Sequence, residues 1–245
     1  MNPQPLEEEI IRRYSAGSGK DYFFYQQQNE KAFLDLQLLA LKDADFDKFE
    51  KEILENKSLS NREEPARVLD IGCSTGSLLA DLKKRGWETV GIEIGGLQAE
   101  YGKLKKNLDI RSLPLEENNF PPSCFNVVLA SHLIEHLNNP AALAAEVHRI
   151  LVPGGYFFVT TPNIDGFQAR LFKSRWRSAI FDHLYLFSKG TLTRLLEEKN
   201  FAIEKIATWG GLAEGTAPAP VKRLFDKAAK RFGFGDVMII RARKL

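Results

Sequence analysis

Hydrophobic positions change their period along this chain. Between residues 21 and 42, in DYFFYQQQNEKAFLDLQLLALK, Phe33, Leu36 and Ala40 fall at helical spacing and predict an apolar stripe. The charged stretch that follows, DADFDKFEKEILENKSLSNREEP, reads as a solvated helix and linker ending at Pro65. From Arg67 the pattern becomes short apolar runs alternating with helical repeats. ARVLDIG, ETVGIEI, FNVVLAS, YFFVTTP, FAIEKIATW and DVMIIRARK read as strands. SLLADLKKRG, the stretch opened by Asn139-Pro140 and ended by Pro153-Gly154-Gly155, and KGTLTRLLEEKN read as helices.

Strands alternating with single helices predict a parallel sheet covered on both faces. The last two strands are joined without a long crossover, so the sheet is expected to finish with an antiparallel edge. Two units follow: a helical N-terminal cap and linker over 1–64, and an α/β domain over 65–245 with an insertion at about 163–188. In such sheets ligands bind outside the carboxyl ends of the strands. That directs attention to the loops after Asp70, Ile92, Ala130 and Thr161.

Composition narrows the function classes. The 34 basic and 32 acidic side chains among 245 residues leave a net charge of +2, with 44% hydrophobic residues. This is no footprint of a nucleic-acid binder, and global disorder is excluded. Cys73 and Cys124 form no paired framework and no cysteine-rich zinc site. The opening MNPQPLEEEI lacks the basic start and apolar run of a secretion signal, and no apolar run approaches the ~18 residues that span a bilayer. A soluble, cytoplasmic protein is the expectation.

The loop Asp70-Ile71-Gly72-Cys73-Ser74-Thr75-Gly76-Ser77 carries the main chemical signal. Glycines there allow unusual backbone angles and close approach of a ligand, and a helix N-terminus stands behind them. The phosphate-binding pattern GxxxxGK(S/T) is absent, and Ser74 breaks the spacing of the dinucleotide fingerprint GxGxxG. A carboxylate at the end of the strand repels a pyrophosphate but suits a ligand carrying an amino group. Glu93 follows at roughly the twenty-residue interval at which an acid meets a ribose diol. Two acids and a glycine turn fit a nucleoside that is not a polyphosphate. An ordinary strand–turn–helix with exposed acids fits these residues equally well.

VLDIGCSTGSLLADL, TVGIEI, DIRSLPL, FNVVLASHLIEHL and LVPGGYFFVTTPN occur in the order seen in class I S-adenosylmethionine-dependent methyltransferases, and residues 65–210 resemble that family. The resemblance implies a Rossmann-like, doubly wound seven-stranded sheet, mostly parallel with an antiparallel last strand. It implies S-adenosyl-L-methionine as cofactor, with Asp70, Gly72, Ser74 and Gly76 at its methionine end. Glu93 would hold the ribose, with Ile94 beside it. Asp109 would reach the adenine amino group, with Ile110 beside the ring, and Ala130 and Ser131 would lie near the transferred methyl. Asn126 stands where many relatives have Asp, a difference expected to be structural.

His132-Leu133-Ile134-Glu135-His136 matches the inverted zinc motif HxxEH. A zinc hydrolase built on His132, Glu135 and His136 is therefore an alternative, although only about one helical turn is available and no third ligand is evident; the expectation is no metal. His132, His183 and Tyr185 are candidates to take a proton from an acceptor. Arg170, Arg175, Trp176 and Arg177 are candidates to recognise an anionic or sugar acceptor. Tyr22, Phe23, Phe24 and Tyr25 are candidates to close over it. The basic stretch 218–235 is read as an amphipathic helix packed on its own sheet, membrane contact being the less favoured reading. The expected activity is methyl transfer to an oxygen or nitrogen of a small-molecule, sugar or lipid-linked acceptor, a catalytically inactive cofactor-binding module being the other alternative.

Overall fold

A computed structural model describes residues 19–55, 65–212 and 218–245. The acidic opening of the chain and the linker at 56–64 lie outside the described residues, as does the side chain of Tyr22.

Among the described residues three helices come first: α1 (Gly19–Gln28), α2 (Glu30–Asp43) and α3 (Phe46–Glu55). The alternating part follows as β1 (Arg67–Ile71), α4 (Ser77–Lys84), β2 (Glu88–Ile92), α5 (Gly96–Lys106), β3 (Asp109–Arg111), β4 (Phe125–Ser131), α6 (Pro140–Ile150) and β5 (Leu151–Pro162). The chain continues with α7 (Phe167–Phe172), α8 (Lys189–Glu197), β6 (Phe201–Trp209), α9 (Ala219–Phe232) and β7 (Val237–Lys244). The seven strands form one sheet in the order β3-β2-β1-β4-β5-β7-β6. Pairing is parallel from β3 to β5, and β7 runs antiparallel to both of its neighbours. The last strand is therefore antiparallel as expected, but it lies inside the sheet and β6 forms the edge. Six of the eight residues of β7 are buried, which suits an interior strand.

Local chemistry accounts for several boundaries. The Asn139 side chain accepts from the Ala142 N–H at 3.0 Å, with Pro140 in the first turn of α6. Ser188 and Thr191 form a reciprocal capping box on α8. α6 ends at Ile150, three residues before the expected stop. Pro153-Gly154-Gly155 instead belongs to β5, where the register with β4 shifts between Phe125 and Val127. Asn126, at that irregularity, accepts from the Arg67 N–H at 2.9 Å, a structural role.

Both sheet faces are covered. On one face Leu143, Val147 and Ile150 of α6 and Leu192 and Leu196 of α8 pack against β1, β4, β5 and β7. On the other, Ala40, Leu41, Ala44 and Phe46 pack against Val68, Val127, Leu129, Phe158 and Ile239. Of the expected stripe of Phe33, Leu36 and Ala40, Ala40 is buried, while Phe33 and Leu36 are 39% and 52% exposed. The stretch expected to be solvated instead supplies Phe46, 1% exposed, whose ring lies 5.4 Å from Phe158 and 6.0 Å from Trp87. A three-residue sequence signal cannot show which helix face meets a sheet more than a hundred residues away. Arg241 joins the layers: it donates to the Ala44 carbonyl at 2.8 Å and lies 4.2 Å from the centre of the Phe49 ring.

Candidate active site

Asp70 is the penultimate residue of β1, aligned with Gly91 on one side and Leu129 on the other. Its carboxyl group is 2% exposed, and Oδ2 has no hydrogen-bond partner among the described residues. Burial, with a smaller contribution from the nearby Glu93 charge, pushes its pKa up to about 8. A buried carboxyl oxygen without a donor costs free energy, so this group is set for an external partner.

The turn after β1 is built from backbone. Gly72, Ser74 and Gly76 all take the left-handed conformation, with φ of +77°, +50° and +72°. The Gly72 and Cys73 N–H groups donate to the Ile92 carbonyl, tying the turn to the end of β2. Glu93, directly after β2, accepts from the Ser74 N–H at 2.9 Å through one oxygen and from the Gly95 N–H at 2.6 Å through the other. Burial raises its pKa against the opposing effect of those two bonds. Four of the expected cofactor positions, Asp70, Gly72, Ser74 and Glu93, are thus brought together.

Three expected positions are placed differently. Asp109 opens β3; its carboxylate is exposed and lies 3.7 Å from Arg111. Arg111 aligns with Ile92, and the Glu93 N–H donates to the Arg111 carbonyl, so Asp109 lies two residues back from that end of the strand. Ile110 is buried in a small core with Cys73, Leu79, Ala99 and Leu108 beneath α4 and α5. A Cβ on Gly102 would come within 2.3 Å of Ile110 Cδ1, which explains the glycine. Ala130 points its methyl into the main core, so Ser131 is the half-exposed end of β4.

The attachment of the cap has no signature in the sequence. Glu30, at the start of α2, accepts from Thr75 Oγ1 at 2.9 Å, from Ser77 Oγ at 2.6 Å and from the Lys106 ammonium. Burial opposes ionisation of Glu30, but those hydrogen bonds and the Lys106 charge hold its pKa below the usual value. Gln26 bonds Gln98, and the Phe23 ring lies 5.7 Å from Tyr101. Phe24 and Tyr25 are exposed. A glutamate within a polar helical stretch carries no local signal of a partner 45 residues away.

At the end of β4, His132 takes a left-handed backbone with φ +52°, and its N–H donates to the Thr160 carbonyl at 2.9 Å. Its Nδ1 lies 3.2 Å from Glu135 Oε1, and its side chain is about half exposed. Glu135 is fully buried and accepts from Thr161 Oγ1 at 3.0 Å. Burial raises its pKa, but the bond and charge of His132 outweigh this and the net direction is downward. Leu133 packs 3.6 Å from where a Cβ on Gly72 would stand, so this turn adjoins the glycine turn.

The HxxEH segment contains a three-residue 3-10 turn, Ile134–His136, in place of the helix that would set both histidines on one face. His136 turns away from His132: its Nδ1 lies 2.9 Å from the Asp182 carbonyl and its ring 4.7 Å from that of His183. Glu135, His136 and His183 each offer a ligand atom within 4.8 Å of the others, against about 3.4 Å between ligands of a tetrahedral zinc. His183 Nδ1 bonds the Ser178 carbonyl at 2.7 Å. The Tyr185 hydroxyl donates to the Asn138 carbonyl and its N–H to that of Glu135. Tyr185 therefore straps two loops together, which corrects its assignment as a proton acceptor. Trp176 is likewise buried and donates to Asp236, so it does not wait for an acceptor, whereas Arg177 donates Nε to Asp236 and keeps an exposed side chain. Arg175 is exposed, and exposed Arg170 lies 3.8 Å from Asp165.

A seven-stranded sheet of this order, with a glycine turn and two acids at adjacent strand ends, defines the Rossmann-like methyltransferase architecture. The family profile described as "Methyltransferase domain" matches residues 44–206, and the chain belongs to that family. A ubiquinone biosynthesis O-methyltransferase from Acinetobacter baumannii is 30% identical over 104 residues, covering 40% of this chain and 44% of that protein. The chain therefore spans less than half the length of that relative. A solved S-adenosylmethionine-dependent methyltransferase from Thermotoga maritima, described as a possible histamine N-methyltransferase, is similar over 91% of this chain and 99% of its own, at 21% identity and TM-score 0.60. Geranyl diphosphate C-methyltransferase from Streptomyces coelicolor, solved with S-adenosyl-L-homocysteine, matches over 81% of this chain and 74% of its own, at 17% identity and TM-score 0.57. These structural likenesses concern the fold.

Proposed function

We propose that this protein transfers the methyl group of S-adenosylmethionine to a hydroxyl oxygen of a small-molecule acceptor. The observation that carries the reading is the buried Asp70 oxygen without a donor, next to a turn whose glycine and Glu93 contacts hold it open. A ligand with a cationic amino group answers that oxygen, and a nucleoside ribose answers Glu93, whose two oxygens keep lone pairs beyond their backbone bonds. When bound, S-adenosylmethionine supplies an already activated methyl on a sulfonium. Gly72 lets the chain pass close to the ligand, and Ile94 and Ser131 border the same strand ends.

The Glu135–His132 pair favours oxygen as the acceptor atom. Glu135, held by Thr161, accepts from His132 Nδ1–H and leaves Nε2 able to take a hydroxyl proton. His132 is the catalytic base in this reading and Glu135 positions it. The rest of the rate enhancement comes from holding two reactants in line.

Calorimetry with S-adenosylhomocysteine tests the cofactor assignment. Glu93→Ala should weaken binding at least tenfold, because two charge-assisted hydrogen bonds are lost. Unchanged affinity removes Glu93 from the ribose, and no binding by the wild type removes the assignment. Stoichiometric zinc by elemental analysis, with peptidase activity, would support the hydrolase instead.

A further inference from the structure

We propose that the face formed by α7 and α9 docks on an anionic lipid bilayer. This inference does not rest on methyl transfer. α9 was expected to bury its apolar side against the sheet, and it does not. Its fully buried residue is Ala229, while Val221, Leu224, Phe225 and Phe232 are exposed, Leu224 at 67% and Phe232 at 69%. At 100° per residue these four and Ala228 occupy one stripe about 100° wide. The helix is fastened by a different side. Ala229 carbonyl accepts from Thr208 Oγ1 at 3.0 Å, and Asp226 accepts from the Gly211 N–H at 2.8 Å.

The stripe continues onto α7. The Phe167 ring lies 6.0 Å from Phe225, and the Phe167 N–H donates to the Phe234 carbonyl at 2.8 Å. Leu171 and Phe172 beside it are exposed.

Charge selects the occupant. Residues 167–177 and 219–232 together hold nine cations and one acid, Asp226, in a chain whose net charge is +2. Among the described residues Lys173, Arg175, Arg223, Lys227 and Arg231 make no ion pair. Arg223, Lys227 and Arg231 recur at every fourth position along one border of the stripe. An apolar stripe bordered by cations suits the headgroup boundary of an anionic membrane, where apolar side chains enter and cations meet lipid phosphates. A nucleic acid would leave Leu224 and Phe232 unused. No described helix is long and apolar enough to cross a bilayer, so the association is peripheral.

Flotation of the full chain with vesicles tests this. Binding is expected to vesicles of phosphatidylcholine with phosphatidylglycerol, to fail with phosphatidylcholine alone, and to weaken as salt rises. Leu224→Glu with Phe232→Glu should lower the partition coefficient at least tenfold, and Arg223→Gln with Lys227→Gln about tenfold. Circular dichroism and S-adenosylhomocysteine affinity, read on the same variants, should be unchanged, which separates failure of docking from failure of the methyltransferase reading. Equal binding to both vesicle types, no binding to either, or insensitivity to both double variants overturns the proposal. A dimer in sedimentation velocity that Leu224→Glu dissolves also overturns it, in favour of a second copy.

Discussion

The two halves of the sheet's carboxyl edge are built by different means. At β1 and β2 the site is made of backbone: three left-handed residues, N–H groups on the Ile92 carbonyl, and a glutamate clamped by two more N–H groups. At β4 and β5 it is made of side-chain ties over long sequence distances: His136 to Asp182, Tyr185 to Asn138, and Trp176 and Arg177 to Asp236. The first half needs particular backbone angles at short range, which constrain residue type position by position. The second needs pairs 46 to 60 residues apart, which many residue combinations satisfy. Under the proposed function, the cofactor belongs with the first arrangement and the acceptor with the second.

The contrast breaks most sharply at His132. With a hydroxyl acceptor, His132→Ala should lower kcat by about 10²–10⁴ and leave S-adenosylhomocysteine affinity intact. Glu135→Gln should lower kcat less and alter the pH profile, since Glu135 acts through the histidine. Release of S-adenosylhomocysteine measures both, and an unchanged kcat in His132→Ala would remove the base. Next in size is Asp236→Ala, which strands the buried Trp176 N–H and releases Arg177. A loss of about 3 kcal/mol in denaturant unfolding is expected, with cofactor affinity little changed. Strong loss of cofactor binding would show that the two halves are not separable.

Asp70 gives a smaller effect with a definite sign. With a pKa near 8 when folded against an ordinary value of 3.8, the folded protein holds a proton that the unfolded chain releases between those values. Ligand-free stability should therefore fall as pH rises through that window, the reverse of a paired carboxylate. Asp70→Asn should remove this dependence and be more stable above pH ~8 by about 1–3 kcal/mol, while binding S-adenosylhomocysteine more weakly. Thermal melts across pH, with and without ligand, measure it; a wild-type melt independent of pH contradicts the assignment. The smallest effect is at Ser74, held at φ +50°. Ser74→Gly should relieve up to about 1 kcal/mol of strain, less the entropy glycine loses, and raise the melting temperature by about 2 °C. In the same turn Gly76→Ala should destabilise, because its Cβ would come 2.5 Å from Leu108 Cδ1.

Legibility in the sequence followed the same division. The strands at Arg67, Glu88, Phe125, Phe201 and Val237 stand where short apolar runs placed them, because buried strands need runs of that kind. α5 and β3 had no separate reading: α5 is mostly polar, and β3 is three residues long. Asp70 and Glu93 were legible from their spacing. Asp109 was legible as a motif residue, but its place at the start of β3 was not, since a three-residue strand leaves no period to read. The Glu30 latch and the exposed stripe of α9 were also beyond reach, because helical periodicity shows that a face is apolar and not what the face meets.

The sequence by itself determined the alternation of strands and helices, the glycine turn, the placement of two acids at adjacent strand ends and the absence of a phosphate-binding lysine. Each rests on local stereochemistry or on burial with a short period. Tertiary structure alone decided that β7 enters between β5 and β6, that Phe46 and not Phe33 anchors the cap, that His132 pairs with Glu135 while His136 turns to His183, and that α9 keeps its apolar side in solvent. Those outcomes depend on which surfaces meet after the chain has closed over distances of up to about 200 residues, and contacts at that range leave no period in the sequence to read.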